Sequence, residues 1–318
     1  MGKTKVYCII VTYNAMKWVD KCLGSLREST IPIHPVIIDN SSSDETVEYI
    51  STNYPEVYLT ANNKNMGFGQ ANNQGIEYAY KQGATHFFLL NQDAWINSNT
   101  VQNLLNVQDK YNFAITSPIH LNGKGNSLDR NYFAYTVLNT QNIEFVSDLI
   151  LKSLKPYYLA TRINAAAWML PRKTIIEIGG FDPVFFHYGE DNNYCQRVKY
   201  HKGKIAFVSE SFVYHDRELK GNVKVYNKNS TISSLLTQYA DVRYNLLQIN
   251  KLRFKFHVLN VLVAVKYLLK FKFKELGYIL NGYVVFISKI PMISRSLKEN
   301  RKIAPNWLNL DSNDNDKS

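Results

Sequence analysis

Over the first 120 residues, short apolar runs alternate with polar segments that can form helices. Val6–Tyr13, Pro35–Asp39, Val57–Thr60, His86–Leu90 and Phe113–Thr116 have the length and apolar density of buried strands. Between them, Met16–Glu28, Ser43–Thr52, Gly69–Gln82 and Asn99–Gln108 fit helices. This alternation predicts an α/β fold with a mostly parallel sheet flanked by helices. Such sheets bind ligands at the carboxyl ends of their strands. Thr12-Tyr13-Asn14, Asp39-Asn40-Ser41 and Asn91-Gln92-Asp93 stand at three such ends and predict one polar rim.

From Asn122 to Ala160 the pattern loosens, and ribbon-like strands and loops are expected. Ile163–Leu170 reads as a strand broken by Pro171, and Arg172–Ile178 as a short helix ended by Gly179-Gly180. Lys204–Phe207 and Ser211–Tyr214 add strands, with His215 at the end of the second. Beyond Ile232 the pattern is helical: Gln238–Ile249, Phe254–Phe271 and Leu276–Ile290. The expected division is a catalytic α/β domain over 1–225, a helical region over 226–308 and a disordered polar tail over 309–318.

Charge changes the picture at one place. Residues 251–302 carry nine lysines and three arginines against Glu275 and Glu299, a net +10 of the chain's +11. A nucleic-acid binder is disfavoured because this charge lies within apolar helices. Val258–Leu269 and Leu276–Ile290 are shorter than the ~20 apolar residues a spanning helix needs, and Asn260, Lys266, Asn281 and Lys289 interrupt them. They read as a basic amphipathic appendage lying on an anionic membrane surface, or else as a helical subdomain with one buried face. Met1–Lys5 runs directly into the first strand with no secretory signal, and Cys8, Cys22 and Cys195 have no CxxC spacing. Both features point to a reducing cytoplasm, at the inner face of the membrane.

Candidate chemistry gathers in Gly179-Gly180-Phe181-Asp182-Pro183-Val184-Phe185-Phe186-His187-Tyr188-Gly189-Glu190-Asp191. An aromatic-walled loop ends in two acids at the start of a helix over 192–198. Asp191 can cap that helix or, partly desolvated, act as a general base. Gly67 and Gly69 allow close backbone approach ahead of a helix N-terminus, yet neither a GxGxxG fingerprint nor a P-loop is present. Asp93, delivered by a buried strand, suits a hard divalent cation that bridges phosphates, with His215 as a second ligand or a structural histidine. A nucleotidyltransferase would want a Gly-rich basic loop after the first strand, where Val11-Thr12-Tyr13-Asn14-Ala15 stands instead.

Val11-Thr12-Tyr13-Asn14, Ile38-Asp39-Asn40-Ser41-Ser42-Ser43-Asp44, Asn65-x-Gly67-Phe68, Leu90-Asn91-Gln92-Asp93 and Gly179-Gly180-Phe181-Asp182…Glu190-Asp191 occur in that order. Together they resemble the family 2 glycosyltransferases of GT-A (Rossmann-like) fold, in particular the bacterial rhamnosyltransferase-like branch, over roughly residues 5–216. The resemblance implies inverting transfer of a sugar from a nucleotide-diphospho-sugar, dTDP-rhamnose or a UDP-hexose, to a glycan hydroxyl. With the basic helices, it points to a lipid-linked acceptor in cell-surface polysaccharide synthesis.

Carried over by position, Asp191 is the base and Asp39 the contact to the nucleotide base. Thr12, Tyr13, Asn14, Asn65, Gly67, Asn91 and Gln92 line the donor site. Asp93 and His215 hold Mg2+ or Mn2+ weakly, since Asn91-Gln92-Asp93 keeps only the last acid of the family's DxD motif. Trp168, Glu190 and Arg197 serve the acceptor, with Phe185, Phe186, His187 and Tyr188 framing it. The alternative is a non-catalytic sugar-nucleotide-binding or scaffold subunit of an assembly complex.

Overall fold

β1 (Val6–Thr12) is buried on both faces: Val6, Cys8 and Ile10 enter one apolar cluster and Ile9 the other. A strand with two buried faces must be central, with helices on either side. The computed structural model describes residues 3–138, 142–217 and 228–310. It shows β1 flanked by parallel β2 (Ile33–Asp39) and β4 (His86–Asn91), in a nine-stranded sheet ordered β3-β2-β1-β4-β8-β6-β9-β5. β3 is Tyr58–Ala61, β5 Ala94–Ile96, β6 Ile115–Asn122, β7 Tyr157–Ala160, β8 Ala167–Pro171 and β9 Ile205–His215. β8 is antiparallel to β4 and β6, and β5 and β7 are antiparallel to β9. The remaining six strands run parallel, so the sheet is mostly parallel.

Helices α1 (Val19–Arg27), α2 (Thr46–Asn53), α3 (Phe68–Lys81) and α4 (Thr100–Tyr111) connect the first strands. The two strand runs expected at 204–207 and 211–214 are one strand with a bulge: pairing to β6 passes from Pro118↔Val208 to Ile119↔Phe212. The segment expected as ribbons carries α5 (Arg130–Tyr132), a π-helical stretch (Phe133–Leu138) and α6 (Ile143–Ile150) before β7. Asp129 starts this helical run by accepting from the Tyr132 amide at 2.8 Å.

α7 (Arg172–Ile178) and α8 (Glu190–Tyr200) bracket the Gly179–Gly189 loop. Then follow α9 (Lys228–Tyr239), α10 (Leu246–Leu269) and α11 (Phe273–Asn300). The helix expected over 238–249 is divided, because Asn245 and Gln248 form a reciprocal cap (2.9 and 2.8 Å) that starts α10 afresh. Val184 and Phe185 join Leu236, Tyr239, Phe286 and Ile293 in a third apolar cluster, which ties the helices to the loop. At the far end, the α10–α11 turn presents Leu269, Phe271 (78% exposed) and Phe273 to solvent. No helix among the described residues is long and apolar enough to cross a membrane.

The first two residues of the expected tail, 309 and 310, pack against the body of the protein. The Asn309 amide donates to Glu77 Oε1 at 2.7 Å, and Leu310 packs on the sheet's core. Residues 311–318 lie outside the described residues.

Candidate active site

The carboxyl ends of β1, β2 and β4 open into a cavity of about 720 Å³ lined by Tyr13, Asn40, Asn65, Gly67, Asn91, Gln92 and Asp93. Its floor is a hydrogen-bonded lattice. The Gln92 carboxamide grips the Tyr13 peptide from both sides, accepting from its N–H (2.7 Å) and donating to its carbonyl (3.2 Å). Asn40 accepts from the Met66 amide (2.9 Å) and donates to the Gly67 carbonyl (3.2 Å). Asn65 Oδ1 accepts from the Gly67 amide at 2.8 Å. Gly67 has φ +81, and a Cβ there would stand 2.2 Å from the Phe186 carbonyl oxygen, so only glycine lets the aromatic loop close over the rim.

Asp39 and Thr12 lie beneath this rim. Asp39 is 1% exposed and accepts from Thr12 Oγ1 (2.8 Å), the Ser42 amide (2.8 Å) and Ser42 Oγ (2.5 Å). Local donors from β1 and the Ser42 turn thus fix the Asp39 carboxylate beneath the cavity. Asn14, with φ 51, takes a similar part: its Oδ1 accepts from the Ser43 amide at 2.9 Å.

At the other wall, His215 Nε2 is 3.2 Å from Asp93 Oδ1 and its Nδ1 3.6 Å from Asp129 Oδ2. The second distance is too long for a hydrogen bond, so it acts as an electrostatic contact only. Asp129 also accepts from Arg217 Nε at 2.9 Å. Sequence reasoning missed Asp129, which sits in the loosened segment with no motif around it. Among the described residues, no three His, Cys, Asp or Glu side chains form a metal cage. Asp93 and His215 make a two-ligand edge, and the buried Asn91 Oδ1 beside them lacks a partner. That donor set fits a hard cation that keeps water and phosphate oxygens as its other ligands.

A second cavity of about 1000 Å³ adjoins the first through Tyr188 and Ser233, and Asp191 lines it. Gly189 (φ +97) makes the turn into α8, where a Cβ would stand 2.5 Å from Thr237 Oγ1. Burial raises the Asp191 carboxyl pKa above its ordinary value, while the Asn192 amide and the Arg162 and Arg217 guanidiniums partly offset it. Glu190 is different: 7% exposed and with Oε2 unpartnered, it is pushed up to about 8 by burial and then by Asp191.

Glu190 is therefore mostly protonated at neutral pH, beneath the site and not on the wall of either cavity. A carboxyl with a raised folded pKa binds its proton more tightly in the native state. Wild-type stability should then fall as pH rises from the ordinary carboxyl range toward about 8, by up to about 1.4 kcal/mol per pH unit. Urea unfolding of Glu190→Gln across that range should show a shallower loss. A slope equal to wild type would remove the protonated Glu190.

Two acceptor-side expectations are corrected by burial. Trp168 is 0% exposed and packs against Phe181 and Tyr194 in the core. Arg197 is also 0% exposed and, instead of reaching the acceptor, donates to the carbonyls of Gly180 and Ile178. Phe185 packs in the third apolar cluster and also lines the first cavity. Of the loop aromatics, Phe186, His187 and Tyr188 are exposed and line the first cavity.

With the geometry in place, the family model described as Glycosyl transferase family 2 matches residues 7–170, more than half of the 318. The chain belongs to glycosyl transferase family 2. This glycosyltransferase is 22% identical over 250 residues to the dTDP-rhamnosyl transferase RfbF of Shigella flexneri, covering 78% of this chain and 81% of that protein. It is 26% identical over 167 residues to the low-salt glycan biosynthesis hexosyltransferase Agl10 of Haloferax volcanii, covering 52% of each. Solved structures share its fold. S. aureus TarS 1-349 in complex with UDP-GlcNAc has a TM-score of 0.55 at 16% identity, over 94% of this chain and 89% of that one. GalNAc-T7 with UDP, GalNAc and Mn2+ also scores 0.55 at 19% identity, over 73% of this chain and 48% of that one.

Proposed function

We propose that this glycosyltransferase moves a sugar, with inversion, from a nucleotide-diphospho-sugar to a hydroxyl of a lipid-linked glycan, with Asp191 as general base. The observation that carries the reading is the pair of adjoining cavities, one bearing Asp93 with His215 buried behind it and the other bearing Asp191. The donor's diphosphate lies on the Asp93 side, and the acceptor hydroxyl enters from the Asp191 side. The hydroxyl oxygen bonds to the anomeric carbon as the bond from that carbon to the phosphate oxygen breaks. The electron pair leaves with the nucleotide diphosphate, and the hydroxyl proton passes to the Asp191 carboxylate. Attack and departure on opposite faces invert the anomeric centre.

Tyr13 and Asn40 hold the nucleotide end, and Asn65 and Gly67 line the side of the cavity that takes the donor sugar. Asp93 and His215 would hold Mg2+ or Mn2+. The chemistry a bound cation supplies is neutralisation of charge on the departing diphosphate. His215, 3.2 Å from Asp93, keeps that carboxylate at the rim. A divalent chelator is expected to cut sugar transfer by at least about tenfold, with Mg2+ or Mn2+ restoring it. Undiminished transfer in the chelator would remove the metal from the reading. The similarity to a dTDP-rhamnosyl transferase and a hexosyltransferase favours dTDP-rhamnose or a UDP-hexose as donor, and a panel of nucleotide sugars scored by acceptor-stimulated nucleotide release tests this.

On this reading the enzyme sits peripherally on the inner face of the cell membrane, through residues 251–302. The support is the apolar α10–α11 turn set among lysines. Burying one phenylalanine is worth about 1.5–3 kcal/mol, so a Phe271→Ser/Phe273→Ser double variant should lose at least about tenfold in co-sedimentation with phosphatidylglycerol vesicles. Equal sedimentation of wild type and variant would argue for a purely structural helical unit.

A further inference from the structure

Three arginines line the second cavity, and they are not equivalent. Arg217 uses its Nε on Asp129 (2.9 Å), and Arg243 its Nε and Nη2 on Asp241 (2.9 and 2.6 Å). Each of these cations is matched by a buried carboxylate. Arg162 has no carboxylate within ion-pair distance among the described residues, and its guanidinium lies 4.1 Å over the Tyr135 ring. Stacking uses the face of the guanidinium and leaves its N–H edge for planar oxygen ligands.

The charge of Arg162 is felt by Asp191, whose carboxyl it helps hold down without pairing with it. A neutral sugar ring has no use for an unmatched guanidinium beside the reacting hydroxyl, whereas a phosphoryl group does. The cavity also reaches Gln238, Asp241 and Tyr244, at the junction of α9 and α10, so it opens at the root of the basic apolar hairpin.

We propose that the second cavity takes an acceptor bearing a phosphoryl group, gripped by Arg162 with the remaining N–H groups of Arg217 and Arg243 beside the acceptor hydroxyl. Naming this occupant the acceptor rests on the reading of Asp191 given above. The phosphoryl group can belong to a lipid diphosphate whose chain runs toward the hairpin, or to a free phosphorylated glycan.

The test is a calorimetric titration in saturating UDP, which occupies the diphosphate position of the first cavity. Geranyl diphosphate, inorganic pyrophosphate and geraniol are titrated into wild type and Arg162→Gln at fixed free Mg2+. Geranyl diphosphate should bind wild type, and Arg162→Gln should bind it about 10–100-fold more weakly, as for a lost charged hydrogen-bond pair. Arg162→Lys, which keeps the charge but not the fork, should fall between the two and guards against a misfolded variant. Tighter binding of geranyl diphosphate than of pyrophosphate identifies the lipid source, and equal binding identifies free phosphate. Geraniol binding as well as geranyl diphosphate, or Arg162→Gln binding like wild type, overturns the proposal. Because the readout is binding, an active Asp191→Asn enzyme would remove the base without touching this result.

Discussion

Asp191→Asn should lower kcat by about 10²–10⁴-fold, the usual contribution of a positioned general base, while leaving UDP affinity unchanged. The acceptor hydroxyl is a poor nucleophile until its proton has somewhere to go. Asparagine keeps the shape of the side chain and the contact with the Asn192 amide (2.6 Å in the native protein) but cannot take the proton. The pH profile has a definite sign. Burial raises the Asp191 pKa, so transfer should fall as pH drops through a value above the ordinary carboxylate range. Arg162→Gln, which removes one of the charges holding that pKa down, should move the acid limb further up. Single-turnover transfer with radiolabelled donor, beside UDP titration of the same protein, separates chemistry from binding. Wild-type turnover in Asp191→Asn would end the assignment.

Much of this was legible in the chain because apolar runs and strand-end polar groups are local signals. β1, β2 and β4 stand within a residue or two of their expected limits at most ends, and Tyr13, Asn65, Gly67, Asn91, Gln92 and Asp93 meet at one rim. What was not legible depends on burial and on distant partners. Nothing local shows that Asp39 is braced from within, because its donors come from Thr12 on another strand and from Ser42. Trp168 reads equally as a wall or as core until β8 is seen between β4 and β6. Asp129 and Arg162 reach their sites only through the 122–162 segment, whose helices carry too few buried positions to show a period. The antiparallel β5, three residues long, gives no periodic signal at all.

Arg197→Met should destabilise the protein by about 3–5 kcal/mol, because two carbonyls left unpaired cost about 1–3 kcal/mol each and a buried side chain is lost from a packed site. In a chain of this size that lowers the thermal midpoint by on the order of 10 °C. The guanidinium is the keystone of the corner between α7 and α8. It holds the carbonyls of Ile178 and Gly180, Tyr194 donates to the Gly179 carbonyl at 2.9 Å, and Asn73 brackets Phe181 through its N–H (2.7 Å) and carbonyl (2.8 Å). From the C-terminal side, Asn300 donates to Asp182 at 2.6 Å and the Gly180 amide donates to the Asn306 carbonyl at 2.8 Å. The glycine pair, the buried arginine and the strap after α11 thus form one scaffold whose product is the placement of Asp191. Lysine at 197 should not rescue it, since one ammonium on a single stem lacks the planar fork that reaches both carbonyls. Donor KM of the folded fraction should stay at the wild-type value. A stable Arg197→Met protein with a raised KM would return Arg197 to the substrate and take it out of the scaffold.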